Sequence, residues 1–160
     1  LTFVLLITLI GIPLALVLIV IYLFLGGFII ARSMMKWGID RRLALAILGR
    51  VGGDSRMLVL YFMGLTAFLS AFLSNTATTV LVAPVAFAAA GGLGVSPEAM
   101  LMAVAVAAYC AFLTPIGHKN NIIIMGPGGY RFGDYWRMGL PLELLVIAVG
   151  VPTILYVWPL

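Results

Sequence analysis

From Phe3 to Ala31 the chain carries no charged residue. Water offers such a run no polar face to present, so its solvent has to be lipid. In lipid the backbone must satisfy its own hydrogen bonds, which leaves the helix as the simplest form. A span takes about 20 residues, so this run holds one long helix and not two. The rest of the chain agrees: 64% of residues are hydrophobic and 9% charged, with a mean hydropathy of +1.25. A soluble chain is about 45–50% apolar and about 25% charged. A cytosolic enzyme and a secreted domain are therefore excluded, and Cys110, the single cysteine, excludes a disulfide framework. A signal peptide does not fit the first run, which is too long, lacks a basic flank before it and has no clean small-residue cleavage site after it. The chain opens on Leu1 and not Met, and is expected to be a piece of a longer one.

The 18 glycines and 8 prolines are many for simple spanning rods and point to helices that break or pack closely. Pro13 is placed to kink the first helix and Gly26-Gly27 to loosen its end. Residues 32–56 hold Arg32, Lys36, Arg41, Arg42, Arg50 and Arg56, six of the nine basic residues, with Leu43, Leu45, Ala46, Ile47 and Leu48 among them. This reads as an amphipathic helix lying in the interface and ended by Gly52-Gly53. Its charge marks the cytoplasmic side; binding of anionic headgroups or steering of an anion is the sharper alternative.

Residues 57–92 are uncharged and apolar except at Ser74-Asn75-Thr76-Ala77-Thr78-Thr79. Roughly 17 residues flank Asn75 on each side, marginal for two spans and comfortable for a re-entrant hairpin with its polar tip at depth. Ser96, Pro97 and Glu98 mark the start of the next helix as cap, first-turn proline and acidic first turn. Residues 99–129 read as a span broken at Thr114-Pro115-Ile116-Gly117-His118-Lys119-Asn120-Asn121 and closed by Gly126-Pro127-Gly128-Gly129. Residues 139–158 form the last span, with Trp158 at its far interface. The expected architecture is an all-α polytopic membrane protein: about three spanning helices, one re-entrant hairpin, one broken helix and one interfacial helix over residues 1–160 (1–31 span, 32–56 interfacial, 57–92 hairpin, 99–129 broken span, 139–158 last span).

The two polar breaks are where chemistry is expected. An unsatisfied backbone group in lipid costs several kcal/mol, so non-helical backbone persists at depth only where it lines a cavity or binds something. Broken helices offer N–H groups to anions and carbonyls to cations. Hydroxyl and amide groups at residues 74–79 suit a hard cation such as sodium beside a carboxylate or other oxyanion. The competing reading is that small polar residues only glue helices together. Lys119 is expected either to snorkel to water or to attract the anion. No carboxylate stands in the middle of an apolar run: Asp134 and Glu143 are placed near an interface, solvated and without a special role, which leaves no acidic proton relay. His118 and Cys110 are single and give no transition-metal site. No catalytic triad, nucleophile elbow or phosphate loop is present, so no enzyme activity is expected.

Leu73-Ser74-Asn75-Thr76-Ala77-Thr78 with Pro84 downstream resembles the divalent anion/sodium symporter family, within the citrate-transporter-like superfamily. Ala111-Phe112-Leu113-Thr114-Pro115-Ile116-Gly117, continuing through Asn120-Asn121 to Gly126-Pro127-Gly128-Gly129-Tyr130-Arg131-Phe132, is similar to the broken helix and following loop of bacterial members. The resemblance covers roughly residues 20–160. It implies a secondary active carrier, sodium-coupled, for a dicarboxylate, citrate or sulfate. Ser74 and Asn75 would contact sodium, with Thr114, Pro115, Ile116 and Gly117 facing the ion. Ser74, Asn75, Thr76 and Asn121 would contact the anion. The resemblance also implies a homodimer working by an elevator movement in the bacterial inner (plasma) membrane, with the lipid bilayer, sodium and the anion as partners. No organic cofactor and no nucleic acid are implied. His118-Lys119-Asn120 departs from the usual Thr-Pro-Pro run and leaves the substrate unassigned. One Ser-Asn-Thr motif is present where a complete carrier has two. Residues 25–44 look like the first repeat and residues 100–160 like the end of the second, so one unusual repeat and a join of both stay open. A membrane anchor or assembly subunit, and an anion channel, are the alternative functions.

Overall fold

The computed structural model describes residues 2–160, with side chains from Gly11 onward except at positions 20, 23, 24 and 27. Leu1 lies outside the described residues, and with it the first position of the expected span. The described chain is all helix: α1 (Thr2–Trp37), α2 (Ile39–Val51), α3 (Ser55–Ser70), α4 (Asn75–Leu93), α5 (Glu98–Ala108), α6 (Lys119–Met125) and α7 (Phe132–Val157). Among the described residues, α4 and α7 are long and apolar enough to cross a membrane by length and composition.

α1 runs for 36 residues and passes through Pro13 without ending. Its length is roughly 54 Å at the helical rise, well beyond a hydrocarbon core of about 30 Å. It stops at Gly38, whose φ of 64° is open to glycine and costly for most other residues. Arg32 and Lys36 therefore ride on the last turns of α1. At the other end, Asp54 caps α3 by accepting from the Arg56 N–H at 2.9 Å, which draws Arg56 into α3. The basic segment is thus divided among three helices, and the interfacial element proper is α2, 13 residues between Gly38 and Gly52. α2 buries Ala44 and Ile47 and leaves Arg41, Arg42 and Arg50 exposed. It packs on α4, where Gly92 leaves room for Leu48: a Cβ at Gly92 would lie 2.9 Å from Leu48 Cδ1.

The core is a three-helix packing of α3, α4 and α5. Leu58, Phe62 and Met63 of α3 meet Val82, Ala86 and Ala90 of α4 and Met100, Ala103 and Val104 of α5. Lipid gives apolar side chains no reason to leave it, so close backbone approach through alanines supplies the contact energy. α7 packs on α3 and α5 with Gly150 against Met63 Cε, where a Cβ would come within 2.6 Å. Many large apolar side chains, among them Leu16, Phe28, Phe87 and Leu145, remain exposed, as lipid-facing surfaces require.

Candidate binding site

The polar tip between α3 and α4 is a short turn over residues 71–74. Ser74 is the α4 cap; its Oγ accepts from the Ala77 N–H at 3.3 Å. Asn75 opens the helix half-buried, and its Oδ1 is buried without a hydrogen-bond partner. One turn on, the buried Thr78 hydroxyl is likewise without a partner, whereas Thr79 donates to the Asn75 carbonyl at 2.9 Å. Thr76 is exposed. Two orphaned oxygens one turn apart, at a helix start with free N–H groups, form a small polar patch inside apolar surroundings.

α5 ends at Ala108, and helix resumes at Lys119. The segment between them folds directly onto the 71–74 turn. Ser70 donates its hydroxyl to the Ala108 carbonyl, and Thr114 donates to the Ala71 carbonyl. Thr114 Oγ1 in turn accepts from the Ile116 N–H at 3.2 Å, closing a local turn. Gly117 sits against the Ser70 carbonyl so closely that a Cβ there would collide with it, and would also lie 2.9 Å from Ala111 Cβ. The two breaks, over 40 residues apart in sequence at Ala71 and Thr114, thus form one junction. Asn121 ties it from the far side: its Nδ2 donates to the Ala111 carbonyl at 3.0 Å and to the Thr114 carbonyl at 3.4 Å.

Of the residues singled out by sequence, Thr114 and Gly117 reach the turn at Ala71 and Ser70, Ser74 and Asn75 follow that turn at the start of α4, and Pro115 is buried next to Thr114. Ile116 is largely exposed, 55%, and enters through its backbone. Asn121 commits its amide nitrogen to backbone carbonyls and leaves its oxygen to offer. Lys119 is exposed on the first residue of α6, with His118 preceding it as a cap that makes no side-chain cap bond.

Three residues take a place here that the sequence did not assign them. Thr78 belongs to the same motif but falls one turn along, and only the fold shows its hydroxyl unpartnered. Tyr135 donates to the Asn121 carbonyl at 2.7 Å, at the edge of a mostly apolar cleft of about 420 Å³ lined by Phe112, Asn121, Tyr130, Asp134 and Tyr135. Glu143 requires a correction. It was placed as a solvated carboxylate near an interface; it is 6% exposed, within the length of α7, with Oε2 unpartnered. The reason is packing: Gly139 and Glu143, one turn apart, lie on the buried face of α7, a helix that begins at Phe132, seven residues before the expected span, and packs on α3 and α5. At that start Asp134 accepts from the Arg131 N–H at 2.8 Å and begins the helix early.

Comparison with known proteins places this junction in context. The family described as citrate transporter matches residues 1–160. The Uncharacterized transporter YfbS of Escherichia coli (strain K12) is 40% identical over 144 residues, 87% of this chain and 23% of that protein. The Uncharacterized transporter sll0640 of Synechocystis is 43% identical over 98 residues, 61% of this chain and 16% of that protein. The Sodium-dependent dicarboxylate transporter SdcS of Staphylococcus aureus (strain USA300) is 44% identical over 69 residues, 43% of this chain and 13% of that protein. The chain therefore spans less than a quarter of the length of these curated relatives. With the match running over every residue of the chain, the protein belongs to the citrate transporter family.

Proposed function

We propose that the chain supplies part of the binding site of a secondary active carrier that moves a small anion (a dicarboxylate, citrate or sulfate) together with sodium. The observation that carries this reading is the junction itself. Buried Asn75 Oδ1 and Thr78 Oγ1 lie without partners at the start of α4, on a turn bonded to the unwound segment by Thr114 and closed by Gly117. Orphaned buried oxygens cost about 1–3 kcal/mol each unless something fills their valence. A hard cation takes hydroxyl, amide and carbonyl oxygens of this kind. The N-terminal N–H groups of α4 suit the anion beside it. The name of the Staphylococcus aureus relative supports sodium and a dicarboxylate as the pair, over 43% of this chain.

The reading includes the residue roles. Ser74, Asn75, Thr114, Pro115, Ile116 and Gly117 face sodium; Ser74, Asn75, Thr76 and Asn121 face the anion, with Lys119 adding positive charge at the approach. It also includes the 71–74 turn as the tip of a re-entrant hairpin, a second Ser-Asn-Thr segment elsewhere in the carrier, and a homodimer in the bacterial inner membrane. The test uses the purified carrier that contains this chain. Sodium should raise its melting temperature, and Asn75→Ala should remove that shift while leaving the ligand-free protein folded. Indifference of the folded wild type to sodium and to anions would sink the carrier reading in favour of an anchor. Anion flux into liposomes without a sodium gradient would favour a channel.

A further inference from the structure

Glu143 takes no part in the junction, yet it is the buried carboxylate of the described chain. It stands on α7, a helix of length and composition fit to cross a membrane. Its position along that helix is bracketed. Gly139 abuts the Phe112 carbonyl just past the end of α5, and Gly150 abuts Met63 of α3. Val146 and Val149 share a groove with Val106 of α5. Glu143 falls between these contacts, one turn past Gly139, and Cys110 stands two residues before the Phe112 that Gly139 abuts. Cys110 is itself buried, its thiol set against the Val106 carbonyl at 3.5 Å.

The other ionisable groups on the packed elements stand apart. On α3 these are Arg56 and Tyr61, both on the far side of Met63 from the break. On α5 it is Glu98, in the first turn, at the end away from Cys110. On α7, Asp134 binds the Arg131 N–H and Tyr135 the Asn121 carbonyl, while Arg137 is exposed nearly two turns before Glu143. Tyr156 is exposed near the opposite end of the helix.

An ionised carboxylate this buried, with Oε2 lacking a hydrogen bond and no cation against it among the described residues, is costly. Something must neutralise it. Sodium needs several oxygen ligands, and the neighbouring side chain is a soft thiol, a poor ligand for a hard ion. A proton needs only the carboxylate. We propose that Glu143 is a proton-binding site, separate from the Ser-Asn-Thr junction and occupied while α7 is packed against α3 and α5. A carboxylate oxygen takes a proton from a hydronium ion, leaving water; the O–H bond breaks again to water when the site is exposed. In the carrier reading, this gives transport a dependence on pH that is distinct from its dependence on sodium.

The test is infrared difference spectroscopy of the carrier containing this chain, wild type minus Glu143→Gln, followed from neutral to mildly acidic pH. A protonated-carboxyl C=O band present in the wild type and missing from the variant is expected. Its absence would overturn the proposal. Should Glu143→Gln fail to fold, Glu143→Asp keeps the carboxyl and moves the band; a band that stays in place belongs to another residue and also overturns the proposal. Because the spectrum needs no flux, a failed carrier reading leaves this result readable. Uptake at saturating sodium adds the link to transport, which rests on the carrier reading: the pH profile should flatten in Glu143→Gln. An intact sodium dependence with no carboxyl band would sink this proposal alone.

Discussion

Gly117 has room for a hydrogen and nothing larger. The Ser70 carbonyl occupies the place where a Cβ would go, and Ser70 is held by its own bond to Ala108. Gly117→Ala should therefore push the unwound segment off the 71–74 turn, costing about 1–3 kcal/mol as overpacking does. Thermal unfolding of the carrier would read this as a lower melting temperature with and without sodium. Thr78 makes the opposite case. Its buried hydroxyl is unpartnered, so Thr78→Val should stabilise the ligand-free protein by about 1 kcal/mol or more, while shrinking the stabilisation that sodium gives. A variant with unchanged response to sodium would remove Thr78 from the ion's ligands. The sequence marked the Ser-Asn-Thr residues through their polarity in apolar surroundings. It could not mark which of their oxygens are buried without partners, because burial is set by how α4 packs in the fold.

Among elements, α4 depends on its cap. Ser74→Ala removes the acceptor of the Ala77 N–H, a loss of about 1 kcal/mol for the helix start that also carries Asn75 and Thr78. Circular dichroism with a melt should show a small drop in stability at unchanged helix content; no drop would mean that water caps the helix instead. α1 makes a longer claim. At roughly 54 Å it exceeds the hydrocarbon thickness, so its charged end with Arg32 and Lys36 should stand in water. Single cysteines at Trp37 and Leu18 distinguish the two zones. A membrane-impermeant thiol reagent should label the first and spare the second, with Cys110 contributing little because it is buried. Equal labelling would place α1 outside the membrane. The helix types were legible from apolar runs and glycine stops. Their ends were less so: α5 starts at Glu98 with Pro97 as cap and not Ser96, and α7 starts early on Asp134.

The whole chain carries a charge asymmetry. Six of its nine basic residues fall between Arg32 and Arg56. Loops of this kind stay on the cytoplasmic side, so a reporter fused at Gly53 in the carrier should read as cytoplasmic. A periplasmic signal there would invert the topology of everything that follows. The molecule also exposes broad apolar faces on α1 and α7, and presents one Ser-Asn-Thr segment.

Membrane residence, the all-helical class and the two polar breaks follow from composition and run length, because lipid allows a backbone few other solutions. That the breaks form a single junction was decided by tertiary packing. Thr114 on Ala71 and Gly117 on Ser70 bring together residues that no local pattern links. The same packing buried Glu143. Its neighbours in sequence suggest an interface; its helix packs on the apolar α3 and α5, and burial depends on which face of α7 is turned inward.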